Sequence, residues 1–287
     1  MNKFSLICTF LCVLFSIEAQ SQDLRLGDSL TRTKQYSAAL LAYERAYFER
    51  TEFPDTSLSA IGLQEVQNAC LLRKVYCLKE MGNFAEASKN TLRFDLNNLP
   101  DTSQFSLRNE LVVCHYLAGF YEDALSQIQQ LRFFVKDSTL HHPADLWEIL
   151  ALTQLKRYAE AKESFRKYKE KNKLTVDVDS VFSFAKKPKF RNPKKAKALA
   201  TFLPGAGMMY AGSPKEGIIS LLLQATTLGF AGGSIWNSYY FSGFLTGFGL
   251  FQAFYFGGIR RTELLVEKRN QQLAKAYTQK VTQALIK

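Results

Sequence analysis

The sequence predicts an all-α chain: a solenoid of helical hairpins, then a two-helix transmembrane hairpin, then an amphipathic C-terminal helix. Three observations predict it. Four segments between Tyr36 and Tyr168 repeat one spacing of aromatic and small residues. Two uncharged apolar runs, 217–236 and 239–259, follow each other closely. The basic excess behind the net charge of +11 is confined to the flanks of those runs.

At the amino terminus, MNKFSLICTFLCVLFSIEAQSQD sets basic Lys3 ahead of an apolar stretch, Phe4 to Ile17, and small Ala19. This is the pattern of a secretory signal peptide over 1–19. Neither Cys8 nor Cys12 follows the small residue that lipoprotein processing requires, so a lipid anchor is not expected. The remaining cysteines, Cys70, Cys77 and Cys114, are odd in number and cannot all pair within one chain. Cys70 and Cys77 are seven residues apart on a predicted helix, about 10 Å, which is beyond disulfide reach. Buried thiols acting as small hydrophobes are expected.

The repeats occupy 20–175. The segments KQYSAALLAYERA, GNFAEASKNTLRF, GFYEDALSQIQQL and KRYAEAKESFRKY each carry an aromatic, an alanine three residues on, and further packing positions at seven and ten. The sets are Tyr36, Ala39, Tyr43, Ala46; Phe84, Ala87, Thr91, Phe94; Tyr121, Ala124, Ile128, Leu131; and Tyr158, Ala161, Phe165, Tyr168. Spacings of three and four put each set on one helix face. The alanine admits a close neighbour, and the aromatic fills the turn between two helices. Gly27, ahead of the first set, suits a tight crossing. Two PDTS loops, Pro54 to Ser57 and Pro100 to Ser103, offer N-cap residues. Trp147 is expected in the core of the last repeat. The pattern resembles the tetratricopeptide repeat, a helical hairpin that stacks into a solenoid, which implies a binding surface for a protein or peptide partner.

After the repeats, TVDVDSVFSF alternates apolar and polar residues and reads as a short extended segment. KKPKFRNPKK is then broken by Pro188 and Pro193, marking a basic linker over 176–197. From Gln20 to Ser183 the chain carries 21 Lys or Arg against 22 Asp or Glu, near neutrality. From Phe184 to Lys197 there are seven bases and no acid, and from Ile259 onward seven bases against Glu263 and Glu267. Bases that bracket an apolar segment meet lipid phosphate, so anionic headgroups are expected rather than nucleic acid.

The stretch FLPGAGMMYAGSPKEG, Phe202 to Gly217, lacks the Gly-Lys-Ser/Thr ending of a phosphate-binding loop, and Pro214 removes an amide that such a loop would use. Tyr210 stands at the third glycine of a dinucleotide fingerprint. The two apolar runs that follow, of 20 and 21 residues, are each long enough to span a bilayer as helices. They are glycine-rich, and Trp236, Tyr239 and Tyr240 at the turn would form an interfacial belt. Pro204, Gly205, Gly207, Tyr210, Gly212 and Gly217 resemble the P-G-x-G-x-x-Y-x-G motif of bacterial membrane proteins with a two-helix hairpin, here over 198–258. Met208 stands where that family usually carries glutamine. The resemblance implies that these residues turn the chain into the bilayer, with Tyr210 anchored among headgroups.

Over 259–287, Val266, Leu273, Tyr277, Val281 and Ala284 trace one helical face, with Lys268, Lys275 and Lys280 outside it. This predicts an amphipathic helix lying on the membrane or capping the repeats. Adjacent His141 and His142 diverge, so no metal site is expected there, and no catalytic group or cofactor motif is apparent. The expected function is a non-enzymatic, membrane-anchored adaptor, its repeats on the periplasmic side of a bacterial cell membrane. The alternative is a structural or assembly component acting through the glycine-rich hairpin. A signal peptide and a returning hairpin would leave both ends of the membrane segment outside, against the pull of the positive-inside rule.

Overall fold

In the computed structural model, which describes residues 22–186 and 188–286, all regular secondary structure is helical. The predicted leader at 1–19 lies outside the described residues. The chain divides into two units between Lys173 and Leu174.

The N-terminal unit contains α1 Gln22–Arg32, α2 Tyr36–Glu52, α3 Ala60–Glu80, α4 Phe84–Thr91, α5 Asp101–Leu117, α6 Tyr121–Phe134, α7 His142–Gln154 and α8 Tyr158–Asn172. Each signature aromatic, Tyr36, Phe84, Tyr121 and Tyr158, is the first residue of its helix. One turn precedes all four. The residue before the aromatic donates its amide to the carbonyl five positions back: Gln35 to Leu30 at 2.8 Å, and Asn83 to Leu78, Phe120 to His115 and Arg157 to Leu152, each at 2.9 Å. The preceding residue is left-handed in every case, with φ of 59° at Lys34, 72° at Gly82, 83° at Gly119 and 62° at Lys156. This is the hydrogen-bonding of a Schellman helix ending. A lysine holds that conformation against about 1–2 kcal/mol, so packing imposes the turn where glycine is missing.

The small positions behind the aromatics, Ala39, Ala87, Ala124 and Ala161, are all fully buried at 0% exposure. The core runs from helix to helix. Leu24, Tyr43, Ala46, Cys70 and Cys77 join α1, α2 and α3. Leu71, Val75, Ala87, Leu107 and Cys114 join α3, α4 and α5. Val112, Ile128, Leu131 and Ala144 join α5, α6 and α7, with Trp147 half-buried against them and 5.1 Å from the Tyr116 ring. Gly27 lies under the Tyr43 ring, 2.5 Å from where a Cβ would stand, and the Tyr43 hydroxyl donates to Asp28 at 2.8 Å.

Two local readings need correction. In the second repeat the helix stops at Thr91, so Phe94 reaches the core from outside it. The cause is Asn68 on α3, which donates to the Asp95 carbonyl at 2.6 Å and accepts the Asp95 amide at 2.9 Å, holding the chain in a non-helical path. Neither PDTS loop caps a helix through its side chains. Ser59, accepting from the Gly62 amide, caps α3. Asp55 instead holds its own turn through Ser57, and Asp101 accepts the Lys136 and Asp137 amides.

Cys70, Cys77 and Cys114 are free and buried. Burial pushes the Cys70 thiol up from 9.0 to about 11 and moves those of Cys77 and Cys114 the same way. Iodoacetamide at mildly alkaline pH should therefore leave all three unmodified in the native chain and label all three after denaturation. The neutral thiol is the form that folding favours. The associated stability is therefore intact below 9.0 and is lost as pH climbs toward about 11, so the melting temperature should fall in that window. A melting temperature that rises there would contradict the burial.

The C-terminal unit contains α9 Val178–Val181, α10 Ser183–Lys186, α11 Pro193–Phe202, α12 Ala206–Ala211, α13 Pro214–Trp236, α14 Tyr240–Ser242, a π-helical segment Gly243–Phe248 and α15 Gly249–Ile286. The segment read as extended, TVDVDSVFSF, forms two single helical turns instead. Asp177 accepts the Asp179 and Ser180 amides and so starts a helix where alternation alone suggests a strand. Among the described residues one helix, α13, is long and apolar enough to cross a membrane. After α13 the chain reverses at Ser238, φ 66°, where Tyr239 donates to Ser234 O at 2.8 Å, repeating the turn of the first unit. The second apolar run is divided among α14, the π-helical segment and the start of α15. Gly243 and Gly247 let it approach α13: a Cβ on Gly247 would stand 2.6 Å from Ala231. The boundary expected between hairpin and C-terminal helix at 258 falls inside one helix, α15, which runs unbroken from Gly249 to Ile286.

Candidate membrane-entrance site

Phe202 ends α11 because Leu203, preceding Pro204, is extended with φ −133°. Gly205 then takes φ 78° and starts α12. Two backbones meet here. A Cβ on Gly205 would collide with the Gly217 carbonyl, and one on Gly217 would stand 2.6 Å from the Gly205 carbonyl. Gly207 sits where three helices converge: its Cβ would lie 2.5 Å from the Ala196 carbonyl and 2.7 Å from both Ala200 and Thr262. Gly212, φ 94°, ends α12 with Arg269 pressed against it, and the Arg269 guanidinium donates to the Ala211 carbonyl at 3.2 Å. The next turn places Pro214 first in α13. Five of the six motif residues thus shape a compact helix–turn–helix around α12. Met208, buried at 4%, joins Ala196, Ala211, Leu265 and Val266 in its core.

Tyr210, the sixth, is held by contacts inside the unit. It is half-buried, its hydroxyl accepts the Asn192 amide at 3.2 Å, and its ring carries Arg191 at 4.9 Å and Lys195 at 5.7 Å. The stretch read as a linker is therefore a strap. Arg191 exchanges both backbone hydrogen bonds with the Asn270 side chain at 2.8 Å, and Lys189 donates its amide to the Tyr277 hydroxyl at 3.2 Å. Phe184 stacks on Tyr277 at 4.2 Å, and Phe190 meets the same ring edge-on. Between the two prolines, side chains of a distant helix take the backbone hydrogen bonds that no regular element supplies.

The face of α15 traced by the periodic pattern is partly packed. Val266 and Val281 are fully buried, and α9 packs on α15, with Lys280 donating to the Ser180 carbonyl at 2.7 Å. Deleting the residues after Arg269 removes Asn270, Tyr277 and Val281 together. The expected loss is on the order of 3–5 kcal/mol, from two backbone hydrogen bonds and a buried side chain. Trypsin should then cut at Lys189 to Lys195 in the truncated chain far sooner than in the full one. Equal digestion of both would mean the strap holds without α15.

The fold gathers bases that the sequence keeps apart. Lys197 pairs with Glu263 at 2.8 Å and Arg261 with Glu216 at 2.7 Å. Lys189, Arg191, Lys194 and Lys195 have no ion-pair partner among the described residues. The Lys194 and Lys195 amides are already taken by the Asn192 side chain, so the start of α11 offers an anion its side-chain charges rather than free backbone donors. In the first unit His141 and His142 point to separate partners, the Val135 carbonyl and the Asn172 side chain. Sequence reasoning missed Thr262, Arg269 and Asn270 and gave Tyr277 only a place on a helical face, because Gly207, Ala211, Arg191 and Lys189, which they meet, all lie far along the chain. No known family, curated protein or solved structure matches this chain.

Proposed function

We propose that the chain is a membrane-anchored, non-enzymatic scaffold whose tetratricopeptide-like repeats bind a protein or peptide partner outside the cytoplasm of a bacterial cell. The observation that carries the reading is the pairing, in one chain, of four identical helix reversals with an apolar helix whose side chains are left uncovered. In α13, Ile218, Ile219, Leu222 and Phe230 are each at least half exposed, between 50% and 60%. Such an apolar surface is stable in a bilayer and costly in water. The second arm, reversing at Ser238 and packed through Gly243 and Gly247, would complete a two-helix membrane hairpin. The unpaired bases of the strap would meet anionic headgroups, and a signal peptide would export the repeats.

A second reading has its own support. Added Cβ atoms at Gly229, Gly232 and Gly233 would meet nothing within 4 Å, so α13 keeps an open small-residue face suited to helix association. The hairpin would then be the working part of a membrane assembly and the repeats its positioning device. Fusions of a reporter active only outside the cytoplasm, placed at Ser183 and after Lys287, test the first reading. Activity at both sites is expected. Activity at neither would make the repeats cytoplasmic.

A further inference from the structure

A groove of about 270 Å³ opens between α13 and α15 and changes character along its length. At one end stand Glu216 and Arg261, paired at 2.7 Å. One turn further along α13 comes Ser220, and about 10 Å from the pair the walls are Leu223 and Phe254, both open to the outside. Gly257 lines the groove on the α15 side. The Ser220 hydroxyl accepts an N–H from buried Gln224 at 3.0 Å, which leaves its own proton to be donated into the groove. Along the groove the order is two opposite charges, one hydroxyl donor, then hydrocarbon.

We infer that this groove holds one molecule of a zwitterionic phospholipid. Its ammonium meets Glu216, its phosphate meets Arg261, an ester carbonyl accepts from Ser220, and one acyl chain lies against Leu223 and Phe254. The inference rests on the membrane anchoring proposed above. Charge complementarity selects the occupant: Glu216 and Arg261 hold each other through two hydrogen bonds and together add no net charge, so a headgroup carrying both signs can exchange partners with both, whereas an anionic headgroup would leave Glu216 without a cation. The strap bases, which do carry a net charge, remain a separate surface for anionic lipid.

Gly257 makes the test clean. Gly257 lines the groove and a Cβ added there meets nothing within 4 Å, so Gly257→Leu places a side chain at the groove wall without a clash. Gly249, on the same helix, is equally open but does not line the groove, and Gly249→Leu serves as the control. The full chain is taken from carbonate-washed membranes, solubilised in a non-ionic detergent and weighed with its bound lipid by native mass spectrometry. Wild type and Gly249→Leu should retain one phospholipid bearing both ammonium and phosphate. Gly257→Leu should retain about tenfold less, the effect of displacing two methylenes of a buried chain. Equal retention by Gly257→Leu and wild type, equal loss in both variants, a lipid-free wild type, or retention of anionic lipid alone would each overturn the assignment. Recovery of the chain in the carbonate supernatant would overturn the membrane anchoring itself, a result separable from all of these.

Discussion

Gly205→Val should destabilise the C-terminal unit by about 2–5 kcal/mol, the sum of a left-handed β-branched residue and an overpacked contact. Gly205 holds φ 78°, and its α-carbon faces the Gly217 backbone so closely that a side chain would displace the carbonyl. Neither neighbour can yield cheaply. Gly217 is buried in the first turns of α13, and Met209 occupies the remaining space, 2.7 Å from where a Gly217 Cβ would stand. Gly217→Val shares the steric conflict without the dihedral penalty, so it should cost less. Gly229→Val provides the contrast, because nothing lies within 4 Å of an added Cβ there. Thermal unfolding of the three variants in one detergent should rank them Gly205→Val, Gly217→Val, Gly229→Val, from least to most stable. A Gly205→Val chain melting with wild type would mean that the two backbones do not meet.

Ala124→Leu should cost the N-terminal unit about 1–3 kcal/mol. Ala124 is 0% exposed and lies one turn beyond Tyr121, at the point where α6 approaches its neighbours. Three added carbons have no void to enter, since Ile128 and Leu131 on the same face are themselves closed off at 1% and 0%. For a unit of this size each kcal/mol lowers the melting temperature by about 2–4 °C. Ala38→Leu is the matched control: it sits beside buried Ala39 but faces solvent, and it should leave the melting temperature unchanged. Equal melting of Ala124→Leu and Ala38→Leu would displace the repeat register.

The registers of α2, α4, α6 and α8 were legible because burial inside one helix writes itself into the chain every three or four residues. Tyr36 with Ala39, Phe84 with Ala87, Tyr121 with Ala124 and Tyr158 with Ala161 are local pairs, and each needs only its own helix to be seen. The glycines of the entrance motif were visible for a related reason, since left-handed turns and close backbone approach select that residue. Their partners were not visible. Nothing in the neighbourhood of Gly205 names Gly217 as the backbone it touches, or names Thr262 as the wall behind Gly207.

By itself, then, the sequence determined the helical class, the buried small position of each signature helix, the apolar character of the two arms and the position of the basic excess. Tertiary structure alone decided the rest. Asn270 takes up Arg191 across 79 residues and Tyr277 takes up Lys189 across 88, turning an apparent linker into a strap. Asn68 draws Asp95 out of helical geometry and so ends α4 early. The second apolar arm runs without a break into α15, whose later turns meet α9 and the strap. Hydrogen bonds and contacts across such separations leave no periodic trace, since each partner alone looks like an ordinary polar or small residue. Only when the chain has folded do they share a place.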